Sequence, residues 1–181
     1  MFEIRSDRLV IRPVLPKDLD PIWEASQIPG FFDGMLWVPP KSKQEVEKEL
    51  LEETISAFNI PLVITHDDRF CGRLFIRRDE GKWGVGFWLL PSERGKGFAT
   101  EAAEAASVYI FKSLGANAVY ASCMPWNHAS RKVIRRLGMK MVNPKRYVWK
   151  AGKQLEVEEY VLSKSAFPIY SSERKGEMVE M

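Results

Sequence analysis

The segment that decides the fold reads Leu90-Pro91-Ser92-Glu93-Arg94-Gly95-Lys96-Gly97-Phe98-Ala99, and it joins a predicted strand to a predicted helix. Glycine permits backbone conformations in which successive N–H groups converge. The first turn of the following helix adds unpaired N–H groups and the positive end of the helix dipole. Such a concavity favours a pyrophosphate, and Arg94 and Lys96 add positive charge beside it.

This segment differs from two other phosphate-binding motifs. It lacks the Gly-Lys-Ser/Thr ending of a P-loop, and it lacks the third glycine and the early βαβ unit of a dinucleotide fingerprint. On its own, a Gly-x-Gly sequence also fits a plain turn in which glycine relieves strain. The phosphate-binding interpretation therefore depends on the rest of the chain.

Hydrophobic periodicity predicts a mixed α/β domain around this segment. The predicted order is β-α-α-β-β-β-α-β-α-β-β, which indicates a three-layer α/β/α arrangement. The predicted strands are Leu9 to Ile11, Pro61 to Thr65, Phe70 to Arg77, Trp83 to Leu90 and Ala118 to Met124, followed by a hairpin with arms at Tyr147 to Trp149 and Val157 to Leu162. The predicted helices are Pro16 to Ser26, Ser42 to about Phe58, Ala99 to Leu114 and Asn127 to Leu137, with turns at 67–68, 81–82 and 151–152.

Length and composition indicate one ordinary globular domain. The 181 residues are 45% hydrophobic and 28% charged, and the net charge is +3. We expect a single domain over 1–167 and a polar, flexible tail over 168–181. The interleaved charges favour neither nucleic acid nor a membrane as partner, and no apolar run approaches the roughly 20 residues of a membrane span. The charged N-terminus lacks the apolar stretch of a signal peptide, so a cytoplasmic location is expected.

Two blocks and the N-terminal segment resemble the GNAT superfamily of N-acetyltransferases. Arg94, Gly97 and Ala99 match the coenzyme A motif written Gln/Arg-x-x-Gly-x-Gly/Ala. The block Asn127-His128-Ala129-Ser130, followed by Leu137-Gly138-Met139, is similar to the Asn-x-x-Ser and Leu-Gly-Phe segment of the branch that acetylates N-terminal amines of ribosomal proteins. The opening Ser6-Asp7-Arg8-Leu9-Val10-Ile11-Arg12 fits the same branch, and the likeness runs from about Ser6 to Ser163.

The resemblance implies both a fold and a reaction. The fold is GNAT-like, with a central mixed, mostly antiparallel sheet that splays apart between its fourth and fifth strands. The cosubstrate is acetyl-CoA, the partner is an amine acceptor (a peptide N-terminus or a small amine), and the protein is a monomer or homodimer. The implied chemistry is direct attack of the amine on the thioester, without an acyl-enzyme.

The resemblance also assigns residues to the coenzyme. The backbone near Leu89 and Leu90 would donate to the thioester carbonyl. The full cofactor-binding set is Leu89, Leu90, Arg94, Gly95, Lys96, Gly97, Phe98, Ala99, Thr100, Asn127 and Arg131. Ser130 is the candidate catalytic residue, donating a hydrogen bond to the leaving sulfur. Its alternative role is helix capping, which Asn127 already fills as the N-cap.

The sequence leaves the acceptor and the general base open. The tyrosine that serves as general acid in some members of the family falls at Ile134, and Val85 stands where the branch often has Glu. The candidate bases are Asp33, His128, Glu156 and Glu158, each of which is otherwise a surface charge. The lack of a dedicated base favours an α-amine, which titrates at about 8, over a lysine at about 10.4.

Two cysteines and four aromatic residues have alternative interpretations. Cys71 and Cys123 lack metal-ligand spacing, so free thiols and no metal site are expected. Cys123 ends the fifth predicted strand near the expected thioester, where a covalent route competes with the favoured role of a small buried residue. The aromatic residues Phe31, Phe32, Trp37 and Trp149 either wall the acceptor site or pack beneath a loop.

Two further functions stay open. An acetyltransferase for a polyamine or an antibiotic fits the same motifs, but a polyamine site calls for clustered carboxylates, and the 28–40 loop offers only Asp33. A non-catalytic acyl-CoA sensor would bind the coenzyme without turning over the thioester.

Overall fold

The computed structural model describes residues 2–36, 38–52, 59–150 and 152–167. The strands are β1 (Ile4–Arg5), β2 (Val10–Pro13), β3 (Asn59–His66), β4 (Arg69–Asp79), β5 (Lys82–Leu89), β6 (Ala118–Cys123), β7 (Lys140–Lys150) and β8 (Lys153–Ser163). The helices are α1 (Leu19–Ser26), α2 (Lys43–Glu52), α3 (Phe98–Lys112) and α4 (His128–Arg136), with 3-10 turns at Pro16–Asp18, Pro91–Glu93 and Lys164–Ala166. Four predicted features lie outside the described residues: Trp37, the end of the second helix at 53–58, Ala151 of the hairpin turn, and the tail at 168–181.

The predicted order of elements is confirmed, with two differences at strands. The two-residue β1 was not predicted, because so short a strand carries no periodicity. The first arm of the final hairpin begins at Lys140 rather than Tyr147, since register shifts on either side of Asn143 interrupt the alternation of its side chains.

One sheet contains all eight described strands, in the order β1-β2-β3-β4-β5-β6-β8-β7. Every neighbouring pair is antiparallel except β5 and β6. These two parallel strands pair only at Trp83 with Val119 and at Gly84 with Tyr120. Beyond that point β5 and β6 separate, which confirms the predicted splay between the fourth and fifth predicted strands.

Two apolar clusters lie on opposite faces of the sheet. On β4, Leu74 and Ile76 belong to the cluster beneath α3 and α4, whereas Phe75 belongs to the cluster beneath α1 and α2. This alternation places a helical layer on each face, as a strand with period two requires. The three-layer α/β/α prediction is therefore confirmed.

Helix α3 lies close against the sheet because its inward positions are small. Ala102, Ala103 and Ala106 have no measurable exposure. Alanine is the strongest helix former, and it lets the helix backbone approach the strands. The chain leaves the helix through Gly115, whose φ is +67°, a common way for a helix to end. This packing fixes the N-terminus of α3 beside the end of β5.

Candidate active site

The chain between β5 and α3 forms a cradle of backbone N–H groups. Gly95 and Gly97 have φ values of +80° and +88°, which only glycine adopts without strain. The helical bonds begin where the N–H groups of Thr100 and Glu101 both donate to the Gly97 carbonyl at 3.1 Å. N–H groups that precede the first helical bond are available to an anion. A Cβ placed on Gly95 would meet nothing within 4 Å, so this side of the cradle is open.

A salt bridge from the N-terminal segment holds the cradle in place. Arg8 donates through Nη1 to the Lys96 carbonyl at 3.1 Å and through Nε to Glu101 Oε2 at 2.8 Å. Its backbone N–H donates to Glu101 Oε1 at 2.8 Å, and the Ser6 hydroxyl donates to the same oxygen at 2.7 Å. The Arg8 guanidinium also lies 4.8 Å from the centre of the Phe98 ring. Sequence reasoning gave Arg8 and Glu101 no role, although Ser6 and Arg8 stand in the opening motif.

Glu101 is held as a carboxylate by these contacts. Burial raises its pKa, but the hydrogen bonds from Ser6 and Arg8 outweigh that effect, and the net pKa is lowered. The ionised form of Glu101 is therefore the form that supports the cradle.

The two cations predicted beside the cradle are arranged differently. Lys96 Nζ lies 2.9 Å from Glu93 Oε2, and this hydrogen bond is the main cause that lowers the pKa of Glu93. Arg94 donates through Nε to the Leu89 carbonyl at 3.3 Å and lies over the Phe31 ring at 5.2 Å. Lys96 thus has its charge partly compensated, whereas Arg94 lines the cavity described next.

A cavity of about 930 Å³ begins at the cradle and passes through the gap between β5 and β6. Val85, Phe87 and Leu89 line it on the α3 side, and Gly86 and Trp88 line it on the opposite side of β5. Of the predicted site residues, those that line the cavity are Leu89, Arg94, Gly95, Gly97, Phe98, Ala99, Thr100, Asn127 and Ser130. Leu90, Lys96 and Arg131 lie outside the lining.

The backbone N–H groups of Leu89 and Leu90 point in different directions. Leu90 N–H donates to the Cys71 carbonyl of β4 at 2.9 Å. Successive N–H groups of an extended strand point to opposite edges, so that of Leu89 points to the gap between β5 and β6. Leu89 is therefore the better placed of the two to donate to a group in the gap.

Asn127 fixes the start of α4 in the wall of the cavity. Its Oδ1 accepts from the Ser130 N–H at 3.1 Å, which makes it the N-cap. Its Nδ2 donates to the Gly34 carbonyl at 2.9 Å and so ties α4 to the loop after α1. Because Asn127 caps the helix, the half-buried Ser130 hydroxyl has no capping role and faces the cavity.

Cys123 lies beside Ser130 at the end of β6. Burial, followed by the negative charge of Glu158, raises the pKa of its thiol to about 11, against a smaller lowering effect of the hydrogen bond with Ser130. A thiol with this pKa stays protonated at neutral pH and is a poor nucleophile. The structure favours the buried structural role over a covalent route.

Arg131, a predicted coenzyme-binding residue, contacts groups of the protein itself. It donates through Nη1 to the Pro125 carbonyl at 3.1 Å, and its Nε lies 3.2 Å from Glu158 Oε2. Glu158 also accepts from the Tyr160 hydroxyl at 2.6 Å. This network links α4 to β8, and Glu158 lies outside the lining of the cavity.

The far end of the cavity lies on the α1 and α2 side of the sheet and carries charges of both signs. Glu159 of β8 is nearly buried, with Arg146 Nη1 at 2.8 Å and Lys82 Nζ at 3.5 Å. Tyr120 of β6 lies beside this group, with Lys82 Nζ 4.9 Å from its ring centre. Sequence reasoning missed these four residues, because strand alternation alone does not reveal which polar positions meet across the gap.

Of the four candidate bases, Asp33 lines the cavity. Glu156 is paired with Lys145 at 3.2 Å on the surface, and His128 lines a separate small cleft. Ile134, at the general-acid position of the family, is 1% exposed. Asp33 is therefore the candidate base that the cavity geometry supports, and an apolar residue occupies the position of the family's tyrosine.

The aromatic residues divide between wall and core. Phe31 lines the cavity, and Phe32 packs edge-on against it with ring centres 4.7 Å apart. Trp149 is 75% exposed and lies outside the cavity lining. The described residues contain no group of three or more side chains suited to a metal ion, and none of the helices they form is long and apolar enough to cross a membrane.

Comparison with known proteins identifies similar chains. The family described as acetyltransferase (GNAT) domain matches residues 8–140. An uncharacterized N-acetyltransferase of Bacillus subtilis (strain 168), YnaD, is 26% identical over 144 residues, covering 77% of this chain and 83% of the relative.

Solved structures share the fold at low identity. RimL, a ribosomal L7/L12 α-N-protein acetyltransferase in complex with coenzyme A, has a TM-score of 0.78 at 17% identity, covering 91% of this chain and 99% of that one. A spermidine N-acetyltransferase from Vibrio cholerae, in complex with CoA and spermine, has a TM-score of 0.76 at 16% identity, with coverages of 89% and 97%. Two proteins with different acceptors thus share this fold.

Proposed function

This chain belongs to the GNAT family of acetyltransferases, and from that premise we propose that it transfers an acetyl group from acetyl-CoA to the α-amine of a peptide or protein. The observation that carries the proposal is the continuous cavity from the glycine cradle through the gap in the sheet. In this reading the pyrophosphate lies on the cradle of α3, the pantetheine arm follows β5, and the acceptor enters from the opposite face.

The fit to the coenzyme rests on two features of the backbone. The open cradle at Gly95 and Gly97 provides N–H groups and the helix dipole for a pyrophosphate. Residues 85–89 of β5 pair with none of the described strands on the side of β6. An extended amide-containing arm can pair with such an edge in the way that a strand would.

The proposed reaction is direct aminolysis of the thioester. The neutral amine forms a bond to the carbonyl carbon while the oxygen takes up negative charge, which the Leu89 N–H stabilises. The carbon–sulfur bond then breaks, and Ser130 donates a hydrogen bond to the departing thiolate. The amine loses its proton to solvent through the open acceptor end, the thiolate takes up a proton from solvent, and the products are the acetyl amide and coenzyme A.

The acceptor end supports an α-amine. Such an amine has a pKa of about 8, so a useful neutral fraction exists without a strong base. The cavity mouth also carries two exposed apolar residues, Leu36 and Trp126, which suit the first side chains of a peptide. Both features favour a peptide terminus over a lysine side chain.

One observation favours a second candidate, a polyamine. Four carboxylates line the acceptor end of the cavity: Asp33, Asp79, Glu80 and Glu159. Of these four, sequence analysis had identified only Asp33 as a candidate carboxylate for a polyamine. Of the four, Glu159 is already paired with Arg146 and Lys82, and Asp79 and Glu80 are largely exposed to solvent. For this reason the peptide remains the first proposal.

A thiol-release assay with acetyl-CoA tests both candidates. The panel contains peptides with free N-termini, the same peptides with blocked N-termini and one internal lysine, spermidine, and an aminoglycoside. We expect release with free N-termini and little with the blocked peptides. Release with spermidine alone would transfer the assignment to the second candidate. Calorimetry with no acetyl-CoA binding at millimolar ligand would contradict the whole proposal.

A further inference from the structure

The loop that follows α1, residues 28–36, forms part of the cavity wall, and we call it the acceptor loop. Two of its exposed side chains, Asp33 and Leu36, line the cavity. Its internal backbone hydrogen bonds are those of successive turns, from Phe31 to Ile28, from Asp33 to Gly30 and from Met35 to Phe32. In the proposed function, the position of this loop affects where the acceptor amine lies.

The two halves of the acceptor loop are anchored in different ways. In the first half, the buried Phe31 and Phe32 rings lie edge-on to Trp88 of β5, with ring centres 5.4 and 6.1 Å away. In the second half, Asn127 Nδ2 donates to the Gly34 carbonyl at 2.9 Å. This bond joins the acceptor loop to the start of α4, across 93 residues of the chain.

Capping of α4 does not explain why residue 127 is asparagine. The cap is made by Oδ1 of Asn127, which accepts from the Ser130 N–H at 3.1 Å. Serine, threonine or aspartate would provide the same kind of acceptor. What asparagine adds is a donor, and that donor is the atom bonded to Gly34.

The same contact explains why residue 34 is glycine. The φ of Gly34 lies outside the left-handed region, so the backbone conformation is open to other residues. A Cβ at this position would lie 2.8 Å from Asn127 Nδ2 and 3.4 Å from the Trp126 ring. Nδ2 is not free to move aside, because Oδ1 of the same amide is held by the helix cap. One long-range bond therefore accounts for both residues.

We infer that Asn127 is a positioning residue for the acceptor: its bond to Gly34 holds the acceptor loop against the start of α4, the helix that contains Ser130. The inference rests on the proposed function, since it takes the cavity beside this loop as the acceptor site. In this role Asn127 acts through the loop. Loss of the bond therefore weakens acceptor binding and leaves the glycine cradle in place.

The test removes the bond from each side in turn. N127S keeps a capping oxygen and lacks the Nδ2 donor, whereas G34A leaves Asn127 intact and places a methyl group against it. Each variant should raise the KM of a peptide with a free N-terminus by about threefold to tenfold, as expected for one net hydrogen bond. The kcat at saturating peptide should stay within about twofold of the wild type, since only binding is affected. The affinity for acetyl-CoA and the melting temperature should be nearly unchanged.

The double variant N127S/G34A is the control for crowding. The shorter serine leaves space for the added methyl group, so in the N127S background G34A should raise the KM by less than about twofold, whereas independent effects would multiply. Hydrogen exchange of residues 28–36 provides a readout that needs no turnover. It should be faster in each single variant, with the exchange of α3 unchanged.

Each outcome decides a different claim. An unchanged peptide KM in both folded single variants would overturn the inference, and so would multiplication of the two effects in the double variant. Equal losses of acetyl-CoA affinity and peptide affinity, with a lower melting temperature, would mean that the bond serves the fold alone. Unchanged exchange of residues 28–36 would overturn the inference whatever the kinetics. If only spermidine is acetylated, its KM takes the place of the peptide KM. No turnover of any acceptor by the wild type would refute the proposed function, and the exchange measurement would still decide whether the bond holds the loop.

Discussion

Replacing Gly97 by valine should separate coenzyme binding from folding. Gly97 has φ +88°, and a side chain in this left-handed conformation costs about 1–2 kcal/mol. For a chain of this size that cost corresponds to a fall of about 2–8 °C in melting temperature. A Cβ at this position would also stand 3.3 Å from Arg8 Nη2, so the salt bridge that holds the cradle must shift.

The expected loss of affinity follows from the bonds that the cradle is proposed to make to the pyrophosphate. A hydrogen bond to a charged group contributes about 1.5–3 kcal/mol, so losing one such bond to the pyrophosphate weakens acetyl-CoA binding by at least about tenfold. Gly115 provides the matched control, because its φ is +67° and a Cβ there meets nothing within 4 Å. G115V should show a similar fall in melting temperature with unchanged affinity.

Calorimetry and thermal unfolding on the same preparations give both quantities. Unchanged acetyl-CoA affinity in folded G97V would mean that the 94–99 segment is a turn without a ligand. Equal losses of affinity in G97V and G115V would mean that strain acts on binding through the whole domain, which would refute the argument from the local cradle.

Three other variants test separate parts of the structure. Ser130→Ala should lower turnover by about tenfold to a hundredfold with nearly unchanged coenzyme affinity and melting temperature, because Asn127 supplies the cap; full activity would contradict its proposed role. Glu101→Gln should reduce the fall in melting temperature that the wild type shows at acid pH. The pKa of Glu101 is lowered in the folded state, so the stabilisation from its carboxylate is present above about pH 4.3 and is lost as pH falls through the folded pKa. The same dependence of melting temperature on pH in the wild type and in Glu101→Gln, from pH 7 to pH 3, would contradict this. Gly72→Ala should reduce the free energy of unfolding in urea by about 3 kcal/mol, because its Cβ would lie 2.0 Å from the Trp88 carbonyl oxygen, whereas Gly86→Ala, which meets nothing within 4 Å, should not.

The fold could be predicted from the sequence because the patterns that indicate strands, turns and helices are local. Alternation and turn residues located the strands, and the Asp67-Asp68 and Gly81 turns lie where hairpin geometry requires positive φ. The cradle was also predictable, since one short segment contains the strand end, the glycines and the helix start. Each of these features depends on neighbours within a few residues.

The rest of the site depends on contacts that no local pattern encodes. Arg8 and Glu101 are 93 residues apart, and Glu159 meets Lys82 across the gap between strands. The contacts of Arg131 with Pro125 and Glu158 depend on the rotation of α4 about its axis. That rotation is set by the burial of Val133 and Ile134. Tertiary packing fixes such details, so periodicity alone could not supply them.

The topology explains why one segment decides both fold and site. The β5–α3–β6 unit contains the one parallel pair among the described strands, and a crossover helix returns the chain to the same edge. The helix must begin where β5 ends, and in α/β sheets ligands bind beyond the carboxyl ends of parallel strands. Here β5 and β6 diverge at that same end, so the N–H cradle and the passage through the sheet adjoin. In the proposed reaction, a phosphate bound at the cradle directs the attached thioester into the gap, where an amine from the opposite face reaches it.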